Sequence, residues 1–113
     1  MSNPTSPQQP GAERRRRPRH VPVGLHGLLI RDSETTPVLV EVRDLSAGGA
    51  GLVVNLGFAP GTVLDLQLSR PERGLQTLLP VKVVYAIEYP AGQFILGCSF
   101  GRELTDDELR GLL

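Results

Sequence analysis

The chain has 113 residues, 40% hydrophobic and 4% aromatic with no Trp, which is enough for one domain with a core of Val, Leu and Ile. Twelve basic residues balance twelve acidic ones, a neutrality that would exclude a polyanion binder if the charge were evenly spread. It is not: residues 1–24 carry Arg14, Arg15, Arg16, Arg17 and Arg19 against Glu13, a net +4, and the remainder carries seven bases against eleven acids, a net −4.

In chain order, residues 1–12 hold three Pro, two Ser and two Gln and nothing to anchor a core, and they read as a disordered tail. Residues 13–20 form the arginine arm. Charged residues before an apolar run from Val21 to Ile30 imitate an export signal, but His26 interrupts the run and no small-residue cleavage site follows. With no stretch near the ~20 apolar residues of a membrane span, the expected location is the cytoplasm.

From Val21 onward, short runs of Val, Leu and Ile are separated by Gly and Pro, the texture of an all-β barrel or sandwich. Val38, Val40 and Val42 alternate with Leu39, Glu41 and Arg43. Leu64, Leu66 and Leu68 alternate with Asp65 and Gln67. Val81, Val83, Tyr85 and Ile87 alternate with Lys82, Val84, Ala86 and Glu88, and Phe94, Leu96, Cys98 and Phe100 with Ile95, Gly97 and Ser99. Period two with one buried face is the antiparallel pattern. Six strands are expected near 21–30, 38–44, 50–56, 62–68, 78–88 and 94–100, within a barrel over 21–100. Ala59-Pro60-Gly61 suits a type II turn, Ser69 to Gly74 a longer loop, and Tyr89-Pro90-Ala91-Gly92 a turn closing the last pair. A C-terminal helix over 105–113 starts at the capping box Thr105-Asp106-Asp107-Glu108, with Leu104 and Leu109 as a hydrophobic staple. At that length it must dock on the barrel, where it would plug one open end.

Catalytic and metal chemistry find little support. Cys98 stands alone in an apolar stretch and reads as a small buried hydrophobe, and His20 and His26 have no clustered acids or thiols nearby. No enzyme activity, cofactor or metal is expected. Two features remain: the arginine run before the first strand and Asp44-Leu45-Ser46-Ala47-Gly48-Gly49 between the second and third. Singly, each has a bland reading, a solvated tail and a self-bonded turn.

Together they resemble the PilZ-domain family of cyclic di-GMP receptors. Arg15-Arg16-Arg17-Pro18-Arg19 matches the family's RxxxR, Asp44 to Gly49 matches its [D/N]xSxxG, and Arg19 lies 25 positions before Asp44. Gly97-Cys98-Ser99-Phe100 is similar to the closing-strand Gly-x-x-Phe. The resemblance covers residues 13 to about 104 and assigns 13–113 to one PilZ domain. It implies a six-stranded antiparallel barrel with a short C-terminal helix and a flexible N-terminal arm that orders on the nucleotide.

The ligand-binding residues it implies are Arg14, Arg15, Arg19, Asp44, Ser46 and Gly49. The chemistry agrees, because a guanidinium can bind phosphate bidentately, pair with guanine O6 and N7, and stack on a base. Arg15 and Arg19 would take phosphate and guanine. Asp44 would accept from guanine N1 and N2, Ser46 would donate to a phosphate or hold the turn, and Gly49 would let ligand and backbone approach closely. Arg14, in the family's terms, accompanies a stacked pair of nucleotides. The expected function is a stand-alone receptor that signals to a downstream protein in control of motility, biofilm or virulence. The rival readings are nucleic acid or anionic-membrane binding through the arm, and an adaptor that has lost the nucleotide. The acidic body and the lack of a basic, aromatic stripe disfavour nucleic acid.

Overall fold

The structure is a computed structural model and describes residues 18–113. Six strands, β1 (His26–Ile30), β2 (Val38–Ser46), β3 (Gly49–Val54), β4 (Val63–Arg70), β5 (Leu75–Tyr89) and β6 (Gln93–Phe100), are followed by one helix, α1 (Asp106–Leu112). The strands close into a barrel in the order β1-β2-β3-β6-β5-β4, every pairing antiparallel, so no sheet edge is left open. Alternation fills the lumen: Leu29, Val40, Val42, Leu45, Leu52, Leu66, Leu68, Leu79, Val81, Val83 and Leu96 are all buried, a core of branched aliphatics.

The strand boundaries move from those expected. The first strand starts at His26, because Gly24 adopts a left-handed φ of +66° and breaks the extended run. His20 forms only an isolated bridge, to Leu45. The expected loop over 69–74 shrinks to a 3-10 turn at Pro71–Arg73 closed by Gly74 (φ +67°), so β4 and β5 extend toward each other. β3 ends at Val54 and leaves Leu56 exposed. The turn before β4 has the expected chemistry, with Thr62 N donating to Ala59 O at 3.1 Å and Gly61 at φ +92°.

The expectation that Tyr85 and Ile87 share the buried face of Val81 and Val83 is overturned. The β5–β6 register shifts between Val83 and Tyr85, and the extra residue, Val84, inverts the parity of everything after it. Tyr85, Ile87 and Tyr89 therefore face outward, and Ala86 turns inward opposite Leu96.

Both halves of the capping box form in α1: Glu108 N donates to Thr105 Oγ1 at 3.1 Å, and Thr105 N donates to Glu108 Oε1 at 2.9 Å. Glu108 is also held bidentately by Arg102, whose Nη1 and Nη2 lie 2.9 Å from its two oxygens. Arg102 first, and then the Thr105 amide, hold the Glu108 carboxyl down to about 2. The other end is tied to the β4–β5 hairpin: Arg70 Nε donates to Leu112 O (2.9 Å) and Arg73 Nη1 to Gly111 O (2.8 Å), satisfying last-turn carbonyls. Leu104 and Leu112 are buried in the barrel core, with Leu109 packed against it, so this short helix is held by tertiary packing.

Candidate functional site

The arm enters the barrel through backbone pairing. His20 N donates to Leu45 O and Leu45 N to His20 O, both at 2.8 Å, which fixes the residue after Arg19 beside the residue after Asp44. The side chains then meet: Arg19 Nη1 donates to Asp44 Oδ1 at 2.7 Å, with the side chains 56% and 24% exposed. Two residues 25 positions apart, each expected in the site, thus form one charge-assisted contact. Arg14 and Arg15 lie outside the described residues.

Asp44 owes its orientation to a β-bulge. The β2–β3 register shifts between Val42 and Asp44, with Arg43 as the inserted residue. Past the bulge Asp44 lies opposite Gly51, whose N–H donates to Asp44 Oδ1 at 3.2 Å. A Cβ at Gly51 would come within 2.8 Å of Asp44 Oδ2, so the carboxylate rests over the bare glycine backbone. Oδ1 is used twice, by Arg19 and Gly51, and Oδ2 accepts no hydrogen bond from the described residues.

The second bulge falls on the same rung. Asp44 pairs with Gly51, Gly51 with Gly97, and Gly97 with Tyr85, which directly follows the inserted Val84. A Cβ on Gly97 would overlap the Tyr85 ring, so the phenol lies over that glycine, and the residue stays 47% exposed. One outward rung across β2-β3-β6-β5 therefore reads carboxylate, glycine, glycine, phenol, about 14 Å from end to end at ~4.8 Å per strand. Each end group leans over its adjacent glycine. Bulges recur beside sites because they re-aim a side chain, and this pair re-aims one at each end.

The remaining signature residues serve the turn. Ser46 is buried and its Oγ donates to Gly49 O at 3.3 Å, closing the Ala47-Gly48 connection. Those turn carbonyls also accept from the C-terminal segment, Phe100 N to Gly48 O at 2.9 Å and Leu104 N to Ala47 O at 2.8 Å. At Gly49 a Cβ would overlap the carbonyl of Cys98, so the barrel's own backbone requires glycine there. Gly51, Gly97 and Tyr85 join the site only in the folded chain. Gly97 was visible within the closing-strand motif, but pairing Gly51 and Tyr85 with it requires the strand order and both bulges.

Burial raises the Cys98 thiol to about 11, far from a reactive thiolate. Among the described residues there is no cluster of three or more His, Cys, Asp or Glu that could hold a metal ion. No helix among them is long and apolar enough to cross a membrane.

Comparison with known proteins agrees with this architecture. The family model described as PilZ domain matches residues 13–113. The barrel is similar to the PilZ domain with c-di-GMP of YcgR from Escherichia coli, with a TM-score of 0.65 at 16% identity over 88% of this chain and 86% of that one. It is also similar to MrkH of K. pneumonia in its c-di-GMP complex (TM-score 0.62, 19% identity, 86% of this chain and 48% of that one). A third likeness is the Bacillus subtilis inhibitor of motility MotI/DgrA (TM-score 0.60, 20% identity, 86% and 47%). The chain spans about half the length of those last two proteins. No curated protein sequence matches it. With RxxxR and DxSxxG meeting at Arg19 and Asp44, and the family match covering residues 13–113, the chain belongs to the PilZ domain family.

Proposed function

We propose that the chain is a cyclic di-GMP receptor that binds the nucleotide on the outward rung between Asp44 and Tyr85, under the arginine arm. The observation that carries this reading is the Arg19–Asp44 contact over Gly51, which unites the two sequence motifs in one place. Asp44 Oδ2 is available to accept from guanine N1 or N2, an edge that a phosphate-binding residue cannot read. Arg19 exchanges its bond to Oδ1 for a phosphate oxygen or guanine O6 and N7, and Arg15 contributes the second guanidinium. Arg14 supports a stacked pair of nucleotides. Tyr85 offers a ring face on which a guanine stacks, with Gly97 behind it as support. Ser46 and Gly49 hold the turn that places Asp44.

The reading is one of binding, not catalysis. The bound nucleotide changes the surface shared by arm and barrel, and a downstream protein in the cytoplasm reads that change, with motility, biofilm or virulence as output. Arg19→Ala and Asp44→Ala test the site in calorimetric titration with cyclic di-GMP. Both are expected to weaken binding more than tenfold while the thermal midpoint moves by only a few degrees. Wild-type affinity in either variant refutes the assignment of that residue.

A further inference from the structure

Five of the seven cations in residues 25–113 are engaged within the protein. Arg31 lies over the Phe58 ring, Arg70 and Arg73 donate to the last carbonyls of α1, Arg102 clasps Glu108, and Arg110 meets Asp107. The other two, Arg43 and Lys82, are exposed and have no hydrogen-bond or ion-pair partner among the described residues. Their positions are related. Arg43 is the inserted residue of the β2 bulge, directly before Asp44. Lys82 lies on β5 just before the second bulge, on the outward face, where it pairs with Ser99 on one side and Val63 on the other. Ser99 in turn pairs with Gly49, and Gly49 with Ser46, so Lys82 ends the rung next to the Asp44–Gly51–Gly97–Tyr85 row.

We infer that Arg43 and Lys82 are a second pair of phosphate-contacting residues, fixed to the barrel and independent of the arginine arm, that bracket the nucleotide from opposite flanks. The inference rests on the receptor reading above and extends its contact set. Three inter-strand steps separate β2 from β5, about 14 Å, a span that two long cationic side chains can close around a ligand lying on the rung between Asp44 and Tyr85. A cyclic dinucleotide carries two phosphates, and a pair of cations on opposite flanks suits two anionic groups better than one. The body is net −4, yet its two cations without a partner among the described residues lie at one rung and the next, on either side of the Asp44 carboxylate and the Tyr85 ring. The roles divide by chemistry. Arg43 can fork two oxygens, whereas Lys82 acts as a point charge with three rotatable donors.

The test is titration of the full chain with cyclic di-GMP at low and at 1 M salt, for wild type, Arg43→Gln, Lys82→Gln, the double variant, and Arg110→Gln. Arg110→Gln removes the same charge from α1, where Arg110 pairs with Asp107. Arg43→Gln and Lys82→Gln are each expected to weaken binding about tenfold at low salt, and the double variant about a hundredfold, because the positions are far enough apart to act independently. The losses should shrink to under about threefold at 1 M salt, where the screening length is ~3 Å. Arg110→Gln should bind like wild type. Wild-type affinity in both single variants overturns the inference while leaving the receptor reading intact, and so does an equal loss in Arg110→Gln, which would mark the effect as one of net charge. Absence of saturable binding in wild type overturns the receptor reading and this inference with it.

Discussion

Replacing Gly51 by alanine separates the site from the fold that carries it. A Cβ at Gly51 would lie 2.8 Å from Asp44 Oδ2, 3.2 Å from Cγ and 3.3 Å from Oδ1, so the carboxylate must swing off the backbone. The neighbour is the end of a partly buried side chain, not packed backbone, and the barrel can accommodate the change. The fold loses the Gly51 N–Asp44 Oδ1 bond of 3.2 Å, about 1–2 kcal/mol for a half-exposed charged acceptor, and regains ~0.4–1 kcal/mol from the lower entropy of an unfolded alanine. The net change is about 1 kcal/mol, a few degrees in thermal midpoint for a domain of this size. On the proposed reading the site loses more, because Arg19 contacts that carboxylate and a bound guanine would read it. Forfeiting one charge-assisted base contact of ~1.5–3 kcal/mol corresponds to roughly ten- to hundredfold weaker nucleotide binding. Thermal unfolding and calorimetric titration of the same preparation read both quantities. Wild-type affinity in Gly51→Ala would refute the claim that Asp44 over Gly51 is the base-reading group. A collapse of the midpoint by more than about 15 °C would refute the claim that the contact is separable from the fold. Gly49→Ala is the contrasting case: its Cβ would overlap the Cys98 carbonyl, so the barrel itself should be destabilised.

Tyr85 and Tyr89 are the only tyrosines and there is no Trp, so intrinsic fluorescence reports this face alone. Cyclic di-GMP should quench it, and Tyr85→Ala should weaken binding by about 1–3 kcal/mol while Tyr89→Phe changes little; the reverse order would misplace the stacking residue. The Glu108 carboxyl is depressed in the folded chain to about 2, so its contribution is present above its unfolded value near 4.5 and is lost as pH falls toward 2. Glu108→Gln should therefore flatten the acid side of the stability profile, and an unchanged profile would dismiss the Arg102–Glu108 clasp. Leu112 is 1% exposed, and Leu112→Ala should cost about 2–4 kcal/mol in denaturant unfolding, against under 1 kcal/mol if α1 were a loose appendage. The Cys98 thiol, raised by burial to about 11, should label with a thiol reagent only as fast as the barrel opens.

The barrel was legible in the sequence because its alternation is carried by Val and Leu in runs such as Val38-Val40-Val42 and Leu64-Leu66-Leu68, where period two has one meaning. It failed at Tyr85 and Ile87 for a specific reason: one inserted residue, Val84, inverts every later side chain, and Val-Val-Tyr-Ala-Ile contains nothing to mark the insertion. The sequence overextends the first strand because apolar Val21 and Val23 mimic strand residues, yet both stand exposed before Gly24 turns the chain. In the site, the meeting of Arg19 with Asp44 was foreseeable from motif order. The partnership of Gly51, Gly97 and Tyr85 on that rung follows only from strand adjacency, since β3 pairs with β6 across more than forty residues. Gly49 shows the opposite limit: its motif position suggests a ligand approach, and its surroundings show a demand of the barrel's own backbone.

The most direct measurement is calorimetric titration of the full chain with cyclic di-GMP, with GTP and a random oligonucleotide in parallel. Saturable heat with the cyclic dinucleotide, abolished or strongly weakened in Asp44→Ala and absent with GTP, is the expected result. No saturable heat with cyclic di-GMP, or tighter binding of the oligonucleotide, would contradict it.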